Sequence, residues 1–262
     1  MSWRTAILGA VAASIAVFLL APMLIIIPMS FSASNELTFP PRGLSLRWYD
    51  NFFTSDKWTA AMLTSLQVSL LTTAVATVVG TATGIGLVRA RFWGKSLVNG
   101  FMLAPLIVPV VVIAIGMFFV FSSFHLTGSL PGLVLAQSVL AVPFVVVNVA
   151  VSARTVDRNL ELAAQNLGAN PWRTFRHVTL PLIAPGIVAG ALFAFIASWD
   201  EVVVAIFLSS ATVRTLPVLM WSEVRTKIDP TIAAVATMLM LVTTVSLLLI
   251  LVLRLRATRP AT

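Results

Sequence analysis

The sequence predicts an all-α integral membrane protein with six transmembrane helices and both termini in the cytoplasm. Three observations lead to this fold class. First, 59% of the 262 residues are hydrophobic and only 10% are charged, whereas a soluble domain is about 25% charged. Second, no charged residue occurs in residues 5–35, 58–88 or 96–153. Third, Lys and Arg are distributed unequally between alternate connections, a bias that sets the orientation of helices in a membrane.

Six apolar runs, separated by turn-forming residues, form the predicted spans of a single transmembrane domain, residues 1–262. A hydrocarbon core about 30 Å thick requires about 20 helical residues, so the longest uncharged run holds two spans. A Ser-, Gly- and Pro-containing segment, residues 122–132, is the expected tight turn between them. The predicted spans are residues 7–30, 60–88, 97–121, 131–151, 186–209 and 231–253, and the long connections are residues 31–59 and 152–185.

The orientation follows from the 17 Lys and Arg residues, most of which lie on one side of the predicted spans. Cytoplasmic connections carry the excess of these residues, so the richer side is predicted to be the cytoplasm. That side holds Arg4, Arg89, Arg91, Lys95, Arg154, Arg158, Arg173, Arg176, Arg254, Arg256 and Arg259. The other side holds Arg42, Arg47, Lys57, Arg214, Arg225 and Lys227.

The second span carries a stripe of small residues on one helical face. Ser65, Ser69, Thr73 and Thr77 recur every four residues, and Gly80 and Gly84 extend the same stripe. Small residues let helices approach closely in a bilayer, where no hydrophobic force drives helices together. The stripe is therefore expected to be a packing face; the competing interpretation is a polar lining along a solute path.

Motifs of catalysis and of metal or nucleotide binding are missing. The chain has no Cys, and His125 and His177 lie far apart, so no metal site is expected. Gly94-Lys95-Ser96 resembles the end of a phosphate-binding loop, but Arg89 stands where that loop requires glycine. Neither HExxH nor GxSxG occurs. We expect no catalytic residue and no cofactor bound by this chain.

The long second connection contains an unusual segment, ELAAQNLGANPWRTFRHVTLPLIAP, residues 161–185. Its start favours a helix, Gly168 and Pro171 interrupt that helix, and aromatic and basic residues follow. A short helix, a glycine turn and a second short helix are predicted. From the residues alone, the segment could lie on the membrane surface or dock into a groove of a partner protein.

This segment resembles the cytoplasmic loop of ABC-importer permeases, whose pattern is EAA, three residues, Gly, nine residues and Ile-x-Leu-Pro. Ala163, Ala164 and Gly168 match it, as do Leu180 and Pro181 at the later spacing. Two positions depart from the pattern, since Leu162 replaces the family's Glu, with Glu161 one residue earlier, and Val178 replaces Ile. Residues 64–94 also resemble this family, and residues 198–240 are similar to permeases of the spermidine/putrescine group.

The resemblance implies that the loop is a coupling helix seated on a cytoplasmic ATPase, with Gly168 allowing the turn. ATP and Mg would then bind to that partner. It further implies pairing with a second permease, as a heterodimer, two ATPase subunits, a periplasmic substrate-binding protein, and location in a bacterial inner membrane. The residues expected to carry the coupling are Glu161, Ala163, Ala164, Gly168, Arg173, Leu180 and Pro181.

Two adjacent acids, Asp200 and Glu201, interrupt the apolar run of the fifth span. Two carboxylates at a helix centre cost about 5–7 kcal/mol, which nearly cancels the roughly 4–7 kcal/mol gained from the apolar residues around them. At least one acid should therefore face water or protein. Three interpretations compete: a hydrated structural pair near the outer end of the span, a proton relay, and a lining of the solute path.

We favour the path lining, with Asp200 meeting a cationic solute. Trp199 beside it would offer a cation–π face, and Glu201, which points about 100° away on a helix, would pair with an external base such as Arg214. Together with the resemblance, this predicts a permease that forms half of an alternating-access path for a polyamine such as spermidine or putrescine. Opines, γ-aminobutyrate and aminophosphonates, which also carry an amino group, are alternative substrates. Two alternative functions belong to other classes of membrane protein: an ion-coupled secondary carrier, and a membrane scaffold that transports nothing.

Overall fold

The computed structural model describes residues 3–226 and 229–257, so Lys227 and Arg259 of the orientation argument lie outside the described residues. Within these ranges the chain is mostly helical, and one isolated antiparallel bridge joins Ser32 to Leu44. The helices are α1 Trp3–Ser30, α2 Arg47–Thr54, α3 Asp56–Arg89, α4 Lys95–Leu103, α5 Val110–Ser123, α6 Leu130–Thr155, α7 Arg158–Asn166, α8 Pro171–Trp199, α9 Val203–Leu208, α10 Leu216–Thr226 and α11 Thr231–Ala257.

Five of the described helices are long and apolar enough to cross a membrane, namely α1, α3, α6, α8 and α11. The predicted third span, residues 97–121, is not one straight helix. The helical segment Lys95–Leu106 and α5 meet at 103°, and count as a sixth crossing only if this bent pair is one span. Pro109, which immediately precedes α5, explains the break because proline lacks the N–H that a continuous helix would need.

The predicted fifth span, residues 186–209, also differs from the structure. The helix begins earlier, at Pro171, and the second short helix expected in the connection forms its first turns. Pro181 has no N–H to donate, and a π-helical turn, Phe175–Thr179, ends two residues before it. The helix then ends at Trp199, and α9 begins only at Val203. Asp200 and Glu201 therefore lie at a helix break and not at a helix centre.

The chain forms two compact units. One comprises Met1–Ala60 and Leu219–Val242, and the other comprises Ala61–Val218 and Thr243–Thr262. In the first unit Phe52 and Trp58 are fully buried, and the Asn51 side chain donates a 2.7 Å hydrogen bond to the Thr231 hydroxyl. The predicted site residues all belong to the second unit.

Helix α6 lies at the centre of the second unit and packs against glycine faces of two neighbours. A Cβ atom at Gly80 of α3 would lie 2.5 Å from the Cβ of Val145, and one at Gly190 of α8 would lie 2.9 Å from the Val145 Cα. Gly84 and Gly186 approach α6 in the same way, one helical turn from each of these glycines. The packing face predicted for Gly80 and Gly84 is confirmed, whereas the matching pair on α8 was not predicted.

The polar part of the α3 stripe is also used for packing within this unit. Ser65 and Ser69 are buried, and the Ser65 hydroxyl accepts a 2.7 Å hydrogen bond from the backbone N–H of Leu216. The Ser69 hydroxyl donates to the Ser65 carbonyl at 2.8 Å. At these two positions the stripe therefore packs against protein and does not line an open path.

Two glycines of α3 provide a matched test of this packing. Gly80→Ala should destabilise the chain, because its new methyl group meets Val145, even though alanine favours helix by about 1 kcal/mol over glycine. Gly86→Ala, with no atom within 4 Å of the added Cβ, should be neutral or stabilising. Thermal unfolding of both purified variants in detergent measures the difference, and equal melting temperatures would contradict the packing.

Candidate functional site

Asp200 follows the last residue of α8 and exposes its side chain. The Thr243 hydroxyl of α11 is its hydrogen-bond donor, at 3.2 Å and 3.4 Å from the two carboxylate oxygens. These long contacts leave acceptor capacity on both oxygens, because an ionised carboxylate has about four lone-pair sites. Asp200 therefore presents an accessible carboxyl group, held from one side by a single hydroxyl group.

Glu201 has the opposite environment, since only 9% of its surface is exposed. Its two carboxylate oxygens accept hydrogen bonds from the backbone N–H groups of Val204 at 2.8 Å and Ala205 at 2.9 Å, in the first turn of α9. The first N–H groups of a helix have no partner within the helix, and a negative charge there is favourable. Glu201 thus caps α9 and is turned away from solvent.

The predicted pairing of Glu201 with Arg214 is not found. The ion pairs formed by the described residues are Lys57–Glu223 and Arg89–Glu161. An acidic residue just before a helix commonly accepts hydrogen bonds from the free N–H groups at the start of that helix. The sequence therefore contained a signal for the capping role of Glu201. Reading residues 186–209 as one continuous helix hides this signal, because such a helix has no N-terminus beside Glu201.

Trp199 is buried, with 2% of its surface exposed, and its ring stacks on Phe195 at a centroid distance of 5.6 Å. The ring is therefore covered by the chain itself, and the structure does not present the cation–π face that the sequence suggested. The preceding residue, Ser198, donates a short hydrogen bond to the side-chain oxygen of Gln137 in α6. Sequence reasoning missed Gln137, although an amide side chain within the apolar run of α6 was a visible signal.

The loop predicted to couple to a partner begins with α7 and turns at Gly168, where φ is +86°. The Gly168 N–H donates to the Gln165 carbonyl at 2.9 Å, and the Ala169 N–H donates to the Ala164 carbonyl at 3.0 Å. This pair of bonds is the Schellman termination of a helix, in which glycine takes the left-handed position. Asn170 then caps α8 by accepting a 2.8 Å hydrogen bond from the Arg173 N–H.

Glu161 connects this loop to two long helices. Its carboxylate lies 2.9 Å from the Arg89 guanidinium at the end of α3, and the same oxygen accepts a 2.9 Å hydrogen bond from the Thr179 hydroxyl in α8. Arg89 also donates to the Val156 carbonyl at 3.4 Å. The Glu161 and Arg89 side chains are mostly buried, with 16% and 22% exposed. Glu161 therefore points into the chain.

Other parts of the loop face outward. Leu162, at the position of the family's Glu, is 46% exposed, Leu167 is 89% exposed and Trp172 is 64% exposed. Of the remaining predicted residues, Ala163, Arg173 and Pro181 are exposed, and Ala164 and Leu180 are half-buried. A groove of about 520 Å³ is lined by Ala164, Ala169, Arg173, Thr174, His177 and Val178. This surface, residues 162–178, is available to a partner.

No group of three or more His, Asp or Glu residues in the part of the chain that the structure describes could hold a metal ion. The candidate site offers an accessible carboxyl group at one end of α8 and an exposed, partly apolar loop surface at the other.

Comparisons with known proteins point to one family of membrane transport proteins. A family profile described as "Binding-protein-dependent transport system inner membrane component" matches residues 76–259. The putrescine transport system permease protein PotI of Escherichia coli K12 is 35% identical over 233 residues, which cover 85% of this chain and 82% of PotI. The spermidine/putrescine transport system permease protein PotC of Haemophilus influenzae is 31% identical over 222 residues, covering 85% and 86%.

Solved structures show the same fold at much lower identity. A chain of a bacterial ABC transporter that imports the acidic polysaccharide alginate matches with a TM-score of 0.71 at 14% identity, covering 99% of both chains. A chain of the MetNI methionine ABC transporter matches with a TM-score of 0.62 at 17% identity, covering 79% of this chain and 100% of that one. The resemblance seen in the loop is confirmed, and the chain belongs to the family of binding-protein-dependent transport system inner membrane components, the permeases of ABC importers.

Proposed function

We propose that this permease forms half of the path through which an ATP-driven importer moves a polyamine, such as putrescine or spermidine, across a bacterial inner membrane. The observation that carries the substrate class is Asp200, an exposed carboxylate at a break between two apolar helices. A cationic ammonium group is its natural partner, because a carboxylate at membrane depth is costly unless it is paired or hydrated. The relatives PotI and PotC, named for putrescine and spermidine transport, support this substrate class.

The three residues predicted for the path take different roles in this proposal. Asp200 meets the ammonium group of the solute, and Thr243 holds the carboxylate in place. Glu201 fixes the geometry of the break by capping α9. Trp199, buried against Phe195, anchors the end of α8. Glu201 and Trp199 are thus positioning residues, and only Asp200 contacts the solute.

The assembly proposed around this chain contains a second permease, as a heterodimer, two ATPase subunits and a periplasmic substrate-binding protein. The bent pair of α4 and α5 supplies the sixth crossing, which puts both termini in the cytoplasm, on the side richer in Lys and Arg. ATP and Mg are expected on the ATPase subunits and no cofactor on this chain. Alternating access of the path then follows the closure of those subunits.

The surface of residues 162–178 is proposed to seat on an ATPase subunit. Ala163 and Ala164 are small enough for close approach, and Arg173 supplies a positive charge for acids of that partner. Leu180 and Pro181 carry the chain from the loop into the apolar part of α8. Gly168 sets the angle between α7 and α8, and Glu161 holds the loop against α3 and α8. Movement of the loop would thereby reach both long helices.

Asp200→Asn tests the path assignment. The neutral amide retains the size of the side chain but removes the charge that attracts an ammonium group, so uptake of putrescine should fall at least tenfold, chiefly through a higher KM. The assay is ATP-dependent uptake of labelled putrescine by the complete importer in proteoliposomes. Opine, γ-aminobutyrate and aminophosphonate competitors in the same assay identify the solute class, and unchanged putrescine kinetics would contradict the role of Asp200.

Glu201→Gln is the matched variant one residue away. It removes the negative charge at the α9 N-terminus and weakens two hydrogen bonds, so the chain should lose about 0.5–2 kcal/mol of stability. Thermal unfolding in detergent should show this loss for Glu201→Gln and none for Asp200→Asn. If Asp200→Asn unfolds at a lower temperature than Glu201→Gln, the roles assigned to the two acids are wrong.

Gly168→Asp tests the coupling loop. Aspartate places a negative charge at the C-terminal end of α7, where the helix dipole is already negative, and adds a Cβ at a φ of +86°. Uptake should be abolished while the chain still inserts into the membrane. Gly168→Asn adds a side chain of equal size at the same positive φ, which Asn and Asp both tolerate, but carries no charge, so it should retain most of the uptake. Normal uptake by Gly168→Asp would rule out the coupling role.

A further inference from the structure

A cationic pocket lies at the ends of α3, α4 and α6, away from Asp200 and from the loop surface. Its volume is about 410 Å³. Lys95 and Arg154 supply two positive charges, Ser96 and Asn99 supply hydroxyl and amide groups, and Leu87 and Ala150 form part of its apolar wall. None of these residues has a role in the proposed transport path.

The two cations of this pocket have no acidic partner within the described residues, whose ion pairs are Lys57–Glu223 and Arg89–Glu161. The Lys95 ammonium group donates one 3.1 Å hydrogen bond, to the Ala90 carbonyl. The nearest acid along the chain from Arg154 is Asp157, which accepts a hydrogen bond from the Asn159 N–H at the start of α7. The pocket therefore carries an uncompensated charge of two, the charge complement of an anionic group.

An apolar groove of about 710 Å³ adjoins this pocket, and Ser96 lines both. The other walls of the groove follow α4 and include Trp93, Leu97, Gly100, Phe101 and Ala104. Leu97 and Phe101 are 77% and 72% exposed, and Trp93 is 99% exposed. Exposed tryptophan beside basic residues is typical of the boundary between the hydrocarbon core and water.

We propose that this combined pocket and groove binds one anionic phospholipid, such as phosphatidylglycerol. The phosphate oxygens accept hydrogen bonds from Lys95, Arg154, Ser96 and Asn99, and an acyl chain lies along the groove toward Ala104. A free anion would need only the cationic pocket and gains nothing from the groove. A zwitterionic lipid brings an ammonium group for which these four side chains offer no carboxylate. Basic pockets between transmembrane helices bind anionic head groups in this way.

The headgroup half of the proposal is tested by native mass spectrometry of the full-length chain in detergent. The chain is titrated with phosphatidylglycerol, with phosphatidylethanolamine and with inorganic phosphate. Phosphatidylglycerol should bind at one tight site, at least tenfold more tightly than phosphatidylethanolamine, and excess inorganic phosphate should not displace it. Lys95→Gln and Arg154→Gln should each weaken this binding about fivefold. Arg91→Gln, which removes an exposed charge outside the pocket, should leave it unchanged.

The groove half is tested with two glycines that each have open space around an added Cβ atom. Gly100→Leu fills the groove and should weaken phosphatidylglycerol binding at least fivefold. Gly116→Leu, in α5 and outside the groove, should not affect it. The proposal fails if phosphatidylethanolamine binds equally well, if inorganic phosphate competes fully, if Arg91→Gln weakens binding as much as Arg154→Gln, or if Gly100→Leu binds phosphatidylglycerol as the unmodified chain does.

Discussion

The close approach of α6 to the glycine faces of α3 and α8 is the contact on which the second unit depends. Lipid tails are as apolar as leucine, so helices in a bilayer associate through close packing rather than through a hydrophobic force. Gly80 and Gly190 let their backbones meet α6 at Val145. This packing also positions Arg89 of α3 and Thr179 of α8. Both of these residues contact the Glu161 carboxylate.

Helix α8 connects the proposed coupling surface to the proposed path residue. Thr179 touches Glu161 at one end of the apolar part of α8, and Asp200 lies at the other end, about 30 Å away at 1.5 Å per residue. That length is close to the thickness of the hydrocarbon core. The fold alone does not select the solute, since an alginate importer shares it. In the proposed function, any solute selection by this chain would depend on individual side chains, chiefly Asp200.

The sequence was sufficient for the membrane class, the loop motif, its glycine turn and the packing face of α3, because each depends on local composition or spacing. It failed where long-range contacts decide the structure. Continuous hydrophobicity concealed the breaks before Val110 and after Trp199, since apolar residues line both straight and bent helices. The inward position of Glu161 also escaped prediction, because Arg89 lies far from it along the chain.

The claim that the loop drives the long helices through Glu161 is tested most directly by reversing its ion pair. Uptake and ATP hydrolysis are measured for the complete importer in proteoliposomes, with Arg89→Glu, Glu161→Arg and both substitutions together. Each single variant should lose putrescine uptake while ATP hydrolysis continues, since like charges would separate the loop from α3. The double variant should regain a substantial part of the uptake. Normal uptake by both single variants would contradict a coupling route through Glu161.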